Sequence, residues 1–287
     1  MEQTSMTEHL LQAEGLIVQG LFEGAYEALA RLAEDAEEYV DRNCPTTDEQ
    51  QWFSFPTLFE RLAYRRVEND PRELLDVGEP LDRLYADLAV ATLNHLQDYD
   101  GCATALKQAI RWNPMECGYR LDLAELCHAM GNEQECLGLS YSVFERASDA
   151  RHLARAFINF SRYFASTGNL RAAAAALRAA RRLDVRDGSL AAMLDQAAGT
   201  DRDPDQLTDE QADELLEAEG LPTGANAEIA VCLLMCATDA AQMGDRNTAT
   251  TLTIRARDLV GEKAAMALIE LIRGADEDEE AADDSAD

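Results

Sequence analysis

The sequence has few basic residues, no long apolar run and no recognisable targeting segment. It contains 25 basic against 55 acidic residues, a formal net charge of −30. Phosphate backbones and anionic membrane surfaces would be repelled by this charge, so we expect no nucleic-acid or membrane partner. The longest apolar stretches, such as residues 172–177 and 229–237, are far shorter than the ~18–20 residues of a membrane span. Because the first residues lack the basic and apolar regions of a signal peptide, we expect a cytoplasmic protein.

Complete catalytic and metal-binding motifs are also missing. The sequence has no phosphate-binding glycine loop, no H-E-x-x-H, no G-x-S-x-G and no paired C-x-x-C. Its seven cysteines are odd in number and favour buried, reduced thiols over a disulfide framework. His95 and His128 take corresponding places near the ends of two helices, but no full ligand set accompanies them. We therefore expect no catalysis, no metal site and no cofactor.

A helix–turn–helix pattern recurs three times in the middle of the chain. Each copy has a turn residue, then a small residue on the following helix, and then apolar residues at helical spacing. The turn residues are Gln97, Gly131 and Gly168, and the small residues are Cys102, Cys136 and Ala173. Cys102 and Cys136 lie 34 positions apart. Small residues in phase indicate two helices that must approach closely.

Two further copies flank this block, and two irregular stretches interrupt the pattern. Residues 18–35 have Gly20 at the turn, and residues 241–261 have Gly244 there. The stretch 44–80 is rich in aromatic residues, and its spacing predicts helices, with a new helix capped by Asp70. The stretch 187–225 predicts helices over 189–198 and 208–220, the second starting with a capping box at Thr208.

This 34-residue helix–turn–helix period resembles the tetratricopeptide repeat. The resemblance implies an all-α fold, an α-solenoid of antiparallel helix pairs forming a right-handed superhelix. The Trp-Phe-x-Phe segment at 52–55, the three-repeat block and the later E-G-L-P-T-G are together similar to a group of bacterial tetratricopeptide proteins to which no activity is assigned.

The repeats divide the chain into six segments. An N-terminal repeat is predicted over 1–43, an aromatic-rich helical insertion over 44–80 and the three-repeat block over 81–186. A divergent helical segment with an acidic loop follows over 187–225, and a C-terminal repeat with a capping helix over 226–273. The last segment, 274–287, is acidic and lacks branched aliphatic residues, which predicts disorder. Whether 44–80 and 187–225 are true repeats stays open.

The resemblance places the first helix of each repeat along a concave groove that holds peptides. The residues it implies on that surface are Asp87, Asn94, Asp122, Glu125, Arg155, Asn159 and Arg162. Around the last three, residues 146–186 contain nine arginines and only two acids, Asp149 and Asp184. These arginines either balance neighbouring acids or grip an acidic peptide through bidentate contacts. A Lys-based carboxylate clamp is not expected, because the groove helices lack lysine.

We therefore expect a protein- or peptide-binding scaffold or adaptor, with an acidic segment as one candidate partner. A client-specific secretion or assembly chaperone is the first alternative. A metal-dependent enzyme or ligand sensor that uses the histidines or cysteines is the second. The segment 275–287 could also fold back over Arg155 and Arg162 and compete with the partner. The partner's identity, the pathway and the oligomeric state stay open.

Overall fold

The computed structural model describes residues 6–183, 185, 187–198 and 203–283, with side chains up to residue 272. Apart from a two-stranded sheet, this described part is all-α, with fourteen α-helices. The chain forms two compact units, Met1–Leu139 and Ser140–Asp287. Among the described helices, none has both the length and the apolar character needed to cross a bilayer.

The first unit contains the N-terminal helix pair, the insertion and the first part of the repeat block. Its elements are α1 (Met6–Val18), α2 (Phe22–Asn43), β1 (Gln50–Phe53), α3 (Leu58–Glu68), β2 (Glu73–Asp76), α4 (Leu81–Leu96), α5 (Tyr99–Trp112), α6 (Cys117–Ala129) and the start of α7 (Glu133–Arg146). One apolar cluster joins α1, α2 and α4, where Leu10, Leu29 and Leu84 are fully buried. A second cluster joins α4, α5 and α6 and includes Cys136 of α7.

Glycine or glutamine ends the first helix of each central repeat, as the sequence predicts. Gln97, Gly131 and Gly168 have φ angles of 55°, 77° and 82°. This left-handed conformation is the one that glycine adopts without steric cost at a helix C-terminus. Gln97 adopts it as a non-glycine residue and donates a hydrogen bond from its Nε2 to the Leu93 carbonyl, at 3.0 Å.

The small residues that define the repeat are buried in helix contacts. Cys102, Cys136 and Ala173 are all buried, and so are the slim residues seven positions later, Ala109 and Val143. Their burial confirms the helical phase predicted from the sequence. It also confirms that these positions face neighbouring helices, where a large side chain would force them apart.

The prediction of helices throughout 44–80 was wrong. Residues 50–53 and 73–76 form the parallel strands β1 and β2, and α3 connects them. Phe53 and Phe55 stack with their ring centroids 4.7 Å apart. The two residues are two positions apart, which is the spacing that places side chains on the same face of a strand. Asp70 caps no helix, because the residues after it lead into β2; its carboxylate accepts hydrogen bonds from the backbone and guanidinium of Arg72.

The second unit contains the remaining helices and one short 3-10 turn. Its elements are the end of α7, α8 (Ala150–Ser166), α9 (Leu170–Arg182), α10 (Gly188–Ala197), the turn Pro204–Gln206, α11 (Asp209–Ala218), α12 (Ala227–Gln242), α13 (Arg246–Val260) and α14 (Glu262–Asp283). α8 pairs with α9 and α12 with α13, while α11 packs on α9. The alanines of α9 let α8 approach closely, and Ser161 Oγ donates to the Ala173 carbonyl at 2.9 Å.

Sequence signals at helix ends hold in this unit except at its C-terminus. Thr208 and Gln211 form the predicted capping box at the start of α11. The last helix was expected to stop at residue 273, but α14 continues to Asp283. Residues 274–283 of the segment predicted to be disordered are therefore helical, in keeping with the helix propensity of alanine and glutamate. Residues 284–287 lie outside the described part.

Candidate functional site

A groove in the first unit is lined by residues of α4, α5 and α6, and its volume is about 470 Å³. Four of the seven residues expected on a binding surface line it. They are Asp87 and Asn94 on α4, and Asp122 and Glu125 on α6. Helical spacing explains this grouping, because residues three or seven positions apart share one face of a helix.

The groove has an apolar floor that solvent can reach from its mouth. Ala89, Cys102 and Leu126 line it and are buried in the core beneath. Val90 and Tyr99 line it too, with relative exposures of 42% and 43%. Apolar side chains left accessible beside a buried apolar floor are typical of a ligand or partner site.

Asp87 is the charged group set deepest into this groove. Its side-chain Oδ2 is buried and has no hydrogen-bond partner among the described residues. Burial raises the pKa of Asp87 to about 7, and repulsion from the neighbouring carboxyl of Glu14 adds to the shift. Arg83 opposes this shift, but its guanidinium is paired with Glu14. The Asp87 carboxyl therefore exchanges a proton near neutral pH.

A buried polar network behind the groove fixes α6 against α4. Asp82 accepts hydrogen bonds from Asn113 Nδ2 at 3.1 Å and from the Tyr119 hydroxyl at 3.2 Å. Ser54 Oγ also donates to Asp82, at 3.2 Å, which ties the residue after β1 to the same point. Because every member is buried or half-buried, this network holds the groove wall in one geometry. Tyr119 itself lines the groove.

The other three acidic or amide residues of the groove differ in their surroundings. Asn94 is exposed and donates from Nδ2 to the Val90 carbonyl of its own helix, at 2.8 Å. Asp122 and Glu125 lie on the exposed face of α6. Together with Asp87 they make the charged lining of the groove acidic, and no basic side chain of the described residues lines it.

The three predicted residues of α8 belong to the second unit. Asn159 does not offer its amide to a groove, because it is buried and donates from Nδ2 to Ser140 Oγ at 2.9 Å. The sequence prediction for Asn159 was therefore wrong. The resemblance implied a groove-facing position for Asn159 but could not show whether solvent reaches it. Arg155 and Arg162 are half-buried on α8, and both interact with other groups of the protein.

Several arginines of the block 146–186 are paired inside their own unit. Arg178 Nε lies 2.6 Å from Asp209, Arg181 lies 3.2 Å from Asp205 and Arg182 lies 2.8 Å from Asp213. These acids belong to α11 and the 3-10 turn before it, which pack on α9. The contacts favour the interpretation that these arginines balance neighbouring acids. Asp184 and Arg186 lie outside the described residues.

One cavity of the second unit is polar, and its arginines are already engaged in contacts within the protein. It has a volume of about 710 Å³ and is lined by residues that include Arg151, Arg255 and Arg257. Arg151 lies 2.6 Å from Asp149, and Arg257 lies 2.7 Å from Asp258. Arg255 Nε donates to the Ser148 carbonyl at 3.1 Å. These contacts leave the arginines of this cavity less available to bind an anion. The first-unit groove, which is apolar and acidic, is better suited to an apolar or cationic group.

The cysteines and histidines are dispersed rather than clustered. All seven cysteines are buried and none forms a disulfide, as the sequence predicts. Burial raises the pKa of Cys102 to about 11, so this groove thiol is protonated at neutral pH. His95 contacts the Tyr26 ring, and His128 is paired with Glu133. Within the described part of the chain, no three His, Cys, Asp or Glu side chains are grouped to hold a metal ion.

Sequence reasoning missed Tyr119, Val90 and Glu14. Tyr119 could have been found, because it precedes Asp122 by three positions and shares its helix face. Val90 likewise lies between Asp87 and Asn94 on α4. Glu14 could not have been found, since it approaches Asp87 from α1, 73 positions earlier in the sequence. No protein-family model matches this chain, and no curated protein matches it.

Proposed function

We propose that this protein is a peptide-binding scaffold whose first-unit groove holds a segment of a partner protein, without catalysis. The observation that supports the proposal best is the solvent-accessible groove of about 470 Å³, which is lined by four of the seven residues that the resemblance implied. Its apolar floor and acidic lining suit a segment that offers both an apolar and a polar group. The cytoplasm is the compartment we propose for this role.

The rigidity of the groove supports binding rather than chemistry. Its walls are helices held by the Asp82 network, so little side-chain entropy is lost when a ligand enters. The Cys102 thiol, a nucleophile that lines the groove, is protonated at neutral pH. Complementarity between preformed helices and an extended or helical segment is then the whole mechanism.

The proposal includes a tetratricopeptide-type arrangement of the helix pairs. Three features support it: left-handed turn residues at the ends of first helices, buried small residues in phase, and antiparallel pairs such as α4–α5 and α8–α9. In such an arrangement the first helices, here α4 and α6, line the binding surface. The groove of the first unit lies on these two helices.

The chaperone alternative predicts a different partner behaviour. A dedicated chaperone holds one client whose solubility depends on it, whereas a scaffold binds a short segment of a partner that is stable alone. Co-expression with a bound partner separates the two. A partner that aggregates when this protein is omitted would favour the chaperone.

A peptide selection with matched tryptophan variants tests the proposal. Random 12-residue peptides displayed on phage are selected against the full chain, and the affinities of the enriched peptides are measured by fluorescence anisotropy. Val90→Trp fills the mouth of the groove and should weaken binding by about tenfold or more. Val18→Trp is the control, because Val18 is 87% exposed at the end of α1 and does not line the groove.

The two variants should have wild-type circular dichroism spectra before their affinities are compared. Affinity that Val90→Trp leaves unchanged, or a selection that enriches no peptide, would contradict the proposed function. Equal loss in both variants would also contradict it, because the effect would then not belong to the groove.

A further inference from the structure

The charges that line the groove are all of one sign. Asp87, Asp122 and Glu125 line it, and the lining includes no described arginine or lysine. The basic residue nearest to Asp87 in sequence, Arg83, directs its guanidinium to Glu14 instead. The charged side chains that line the described groove are therefore all acidic.

Asp87 shows where such a counter-charge is missing. Asp87 lines the groove, and its buried Oδ2 has no hydrogen-bond partner by geometry among the described residues, while the carboxyl of Glu14 lies beside it. A buried carboxylate that lies beside a second carboxyl and lacks a positive partner is unfavourable, so the group keeps a proton instead. The raised pKa of about 7 is the consequence of this geometry.

The groups around Asp87 come from three helices. Glu14 faces it from α1, Asp82 and Arg83 from its own helix α4, and Tyr119 from α6. From α2, Glu37 reaches α4 at the Tyr85 hydroxyl instead, and from α5 the groove receives the uncharged Tyr99. Only Arg83 among these groups is positive, and it is half-exposed and paired with Glu14.

We infer that the groove selects a basic residue of its partner segment, whose aliphatic stem lies on the apolar floor and whose charge pairs with Asp87. The inference rests on the proposed function and names the chemistry of its ligand. A lysine or arginine has both required parts, a chain of methylenes and a terminal cation that donates hydrogen bonds. An acidic side chain in the same place would add a negative charge to an acidic groove.

Entry of the cation displaces the proton of Asp87. The ammonium or guanidinium pairs with the ionised carboxylate, and the proton leaves to solvent. If only the ionised form binds, affinity rises with pH as Asp87 ionises. With a pKa of about 7, the gain between pH 6 and pH 8 is about tenfold. Binding of a neutral ligand should not change in this range.

Three six-carbon probes, which differ only in whether their end group is positive, neutral or negative, test the inference on the full chain. They are n-hexylammonium, n-hexanol and hexanoate, and their binding is followed by the protein methyl resonances of Val90 and Leu93, two lining residues. We expect n-hexylammonium to bind most tightly and hexanoate least tightly. We expect the n-hexylammonium affinity alone to fall about tenfold from pH 8 to pH 6.

Asp87→Asn and Asp100→Asn form the matched pair of variants. Each removes one negative charge, but Asp100 is exposed at the start of α5 and does not line the groove. Asp87→Asn should abolish both the preference for n-hexylammonium and its pH dependence, while n-hexanol still binds. Asp100→Asn should keep both, although long-range attraction to the net charge of −30 is reduced equally in the two variants.

The outcomes separate the inference from the proposed function. If n-hexanol binds as tightly as n-hexylammonium, the inference is wrong and the groove remains an apolar peptide site. If hexanoate binds most tightly, the partner segment is acidic and the inference is overturned. If no probe shifts the groove resonances, the inference fails, and the peptide selection with its tryptophan variants decides the proposed function alone. The pH dependence of the wild-type protein needs no variant and so does not depend on how a variant folds.

Discussion

Asp87 shows how a single residue can trade stability for a binding position. Its carboxyl lies half-buried beside Glu14, with one oxygen unpartnered among the described residues. The folded state raises the pKa of Asp87 above its usual value near 4 to about 7. Between these values the folded chain binds more protons at this site than the unfolded chain, so Asp87 lowers stability as the pH rises.

Replacing Asp87 by asparagine should remove this pH-dependent loss. Asp87→Asn should be more stable than the wild type at pH 8, and the difference should shrink as the pH falls from about 7 towards 4, because Asp87 is then protonated in the folded state. Urea unfolding midpoints at pH 4.5 and pH 8 measure this difference. Asp100→Asn is the control for general charge repulsion. A difference between Asp87→Asn and wild type that is equal at both pH values would refute the assignment.

At the scale of elements, the sequence predicts that α8 and α9 pack closely at Ala173. Ala173 is fully buried, and its carbonyl accepts a hydrogen bond from Ser161 of α8. The adjacent alanines of α9 leave no room for a larger side chain in that interface. The small residue is therefore a packing requirement rather than a consequence of composition.

Ala173→Phe should overpack this helix contact and lower the free energy of unfolding by ~1–3 kcal/mol. Ala191→Phe makes the same change at an exposed position of α10 in the same unit and should cost much less. Chemical denaturation of the two variants measures the difference. Equal stabilities would show that the register assigned to α9 is wrong.

The β1–α3–β2 insertion is stabilised by a cluster of polar side chains around Asp70. Arg72 donates two guanidinium hydrogen bonds to Asp70 and a third to Gln51 of β1, and the Tyr64 hydroxyl also donates to Asp70, at 2.9 Å. The Asp70 side chain is only 7% exposed. These contacts hold the pKa of Asp70 well below its usual range, while burial, together with the hydrogen bond to Asp70, raises the pKa of Tyr64 to about 12.

Arg72→Ala should lower the free energy of unfolding by about 2–3 kcal/mol at pH 7, because Asp70 would remain charged and largely buried. The pKa of Asp70 is depressed in the folded state, so the stabilisation exists above pH ~4 and is lost as the pH falls further. Arg65→Ala on the exposed face of α3 is the matched control. Arg72→Ala and Arg65→Ala with equal unfolding midpoints at pH 7 would contradict this role.

Over the whole molecule, the sequence predicted what depends on local pattern. Turn residues such as Gly131, small residues such as Cys136 and the capping box at Thr208 are local signals, and the structure confirms each of them. The insertion was mispredicted because Trp52, Phe53 and Phe55 fit a helical stripe as well as a strand, and only pairing with β2 decides between the two.

The candidate site was predictable only in part, for a related physical reason. The resemblance to tetratricopeptide repeats implied that Asp87 and Asp122 share a binding surface, and both line the groove. Spacing could not show that Asn159 is buried or that Arg178 is paired with Asp209, because both depend on distant segments. The suggested contact between 275–287 and Arg155 or Arg162 stays a prediction, since the side chains of 275–287 lie outside the described part.

The location of a bound peptide tests the central claim most directly. Methyl NMR of the full chain is recorded while a peptide from the selection is added. We predict shifts of the Ala89, Val90 and Leu93 methyl groups that saturate together, with Leu153 and Leu177 of the second unit unchanged. Shifts confined to the second unit, with these three groove residues unmoved, would contradict the account.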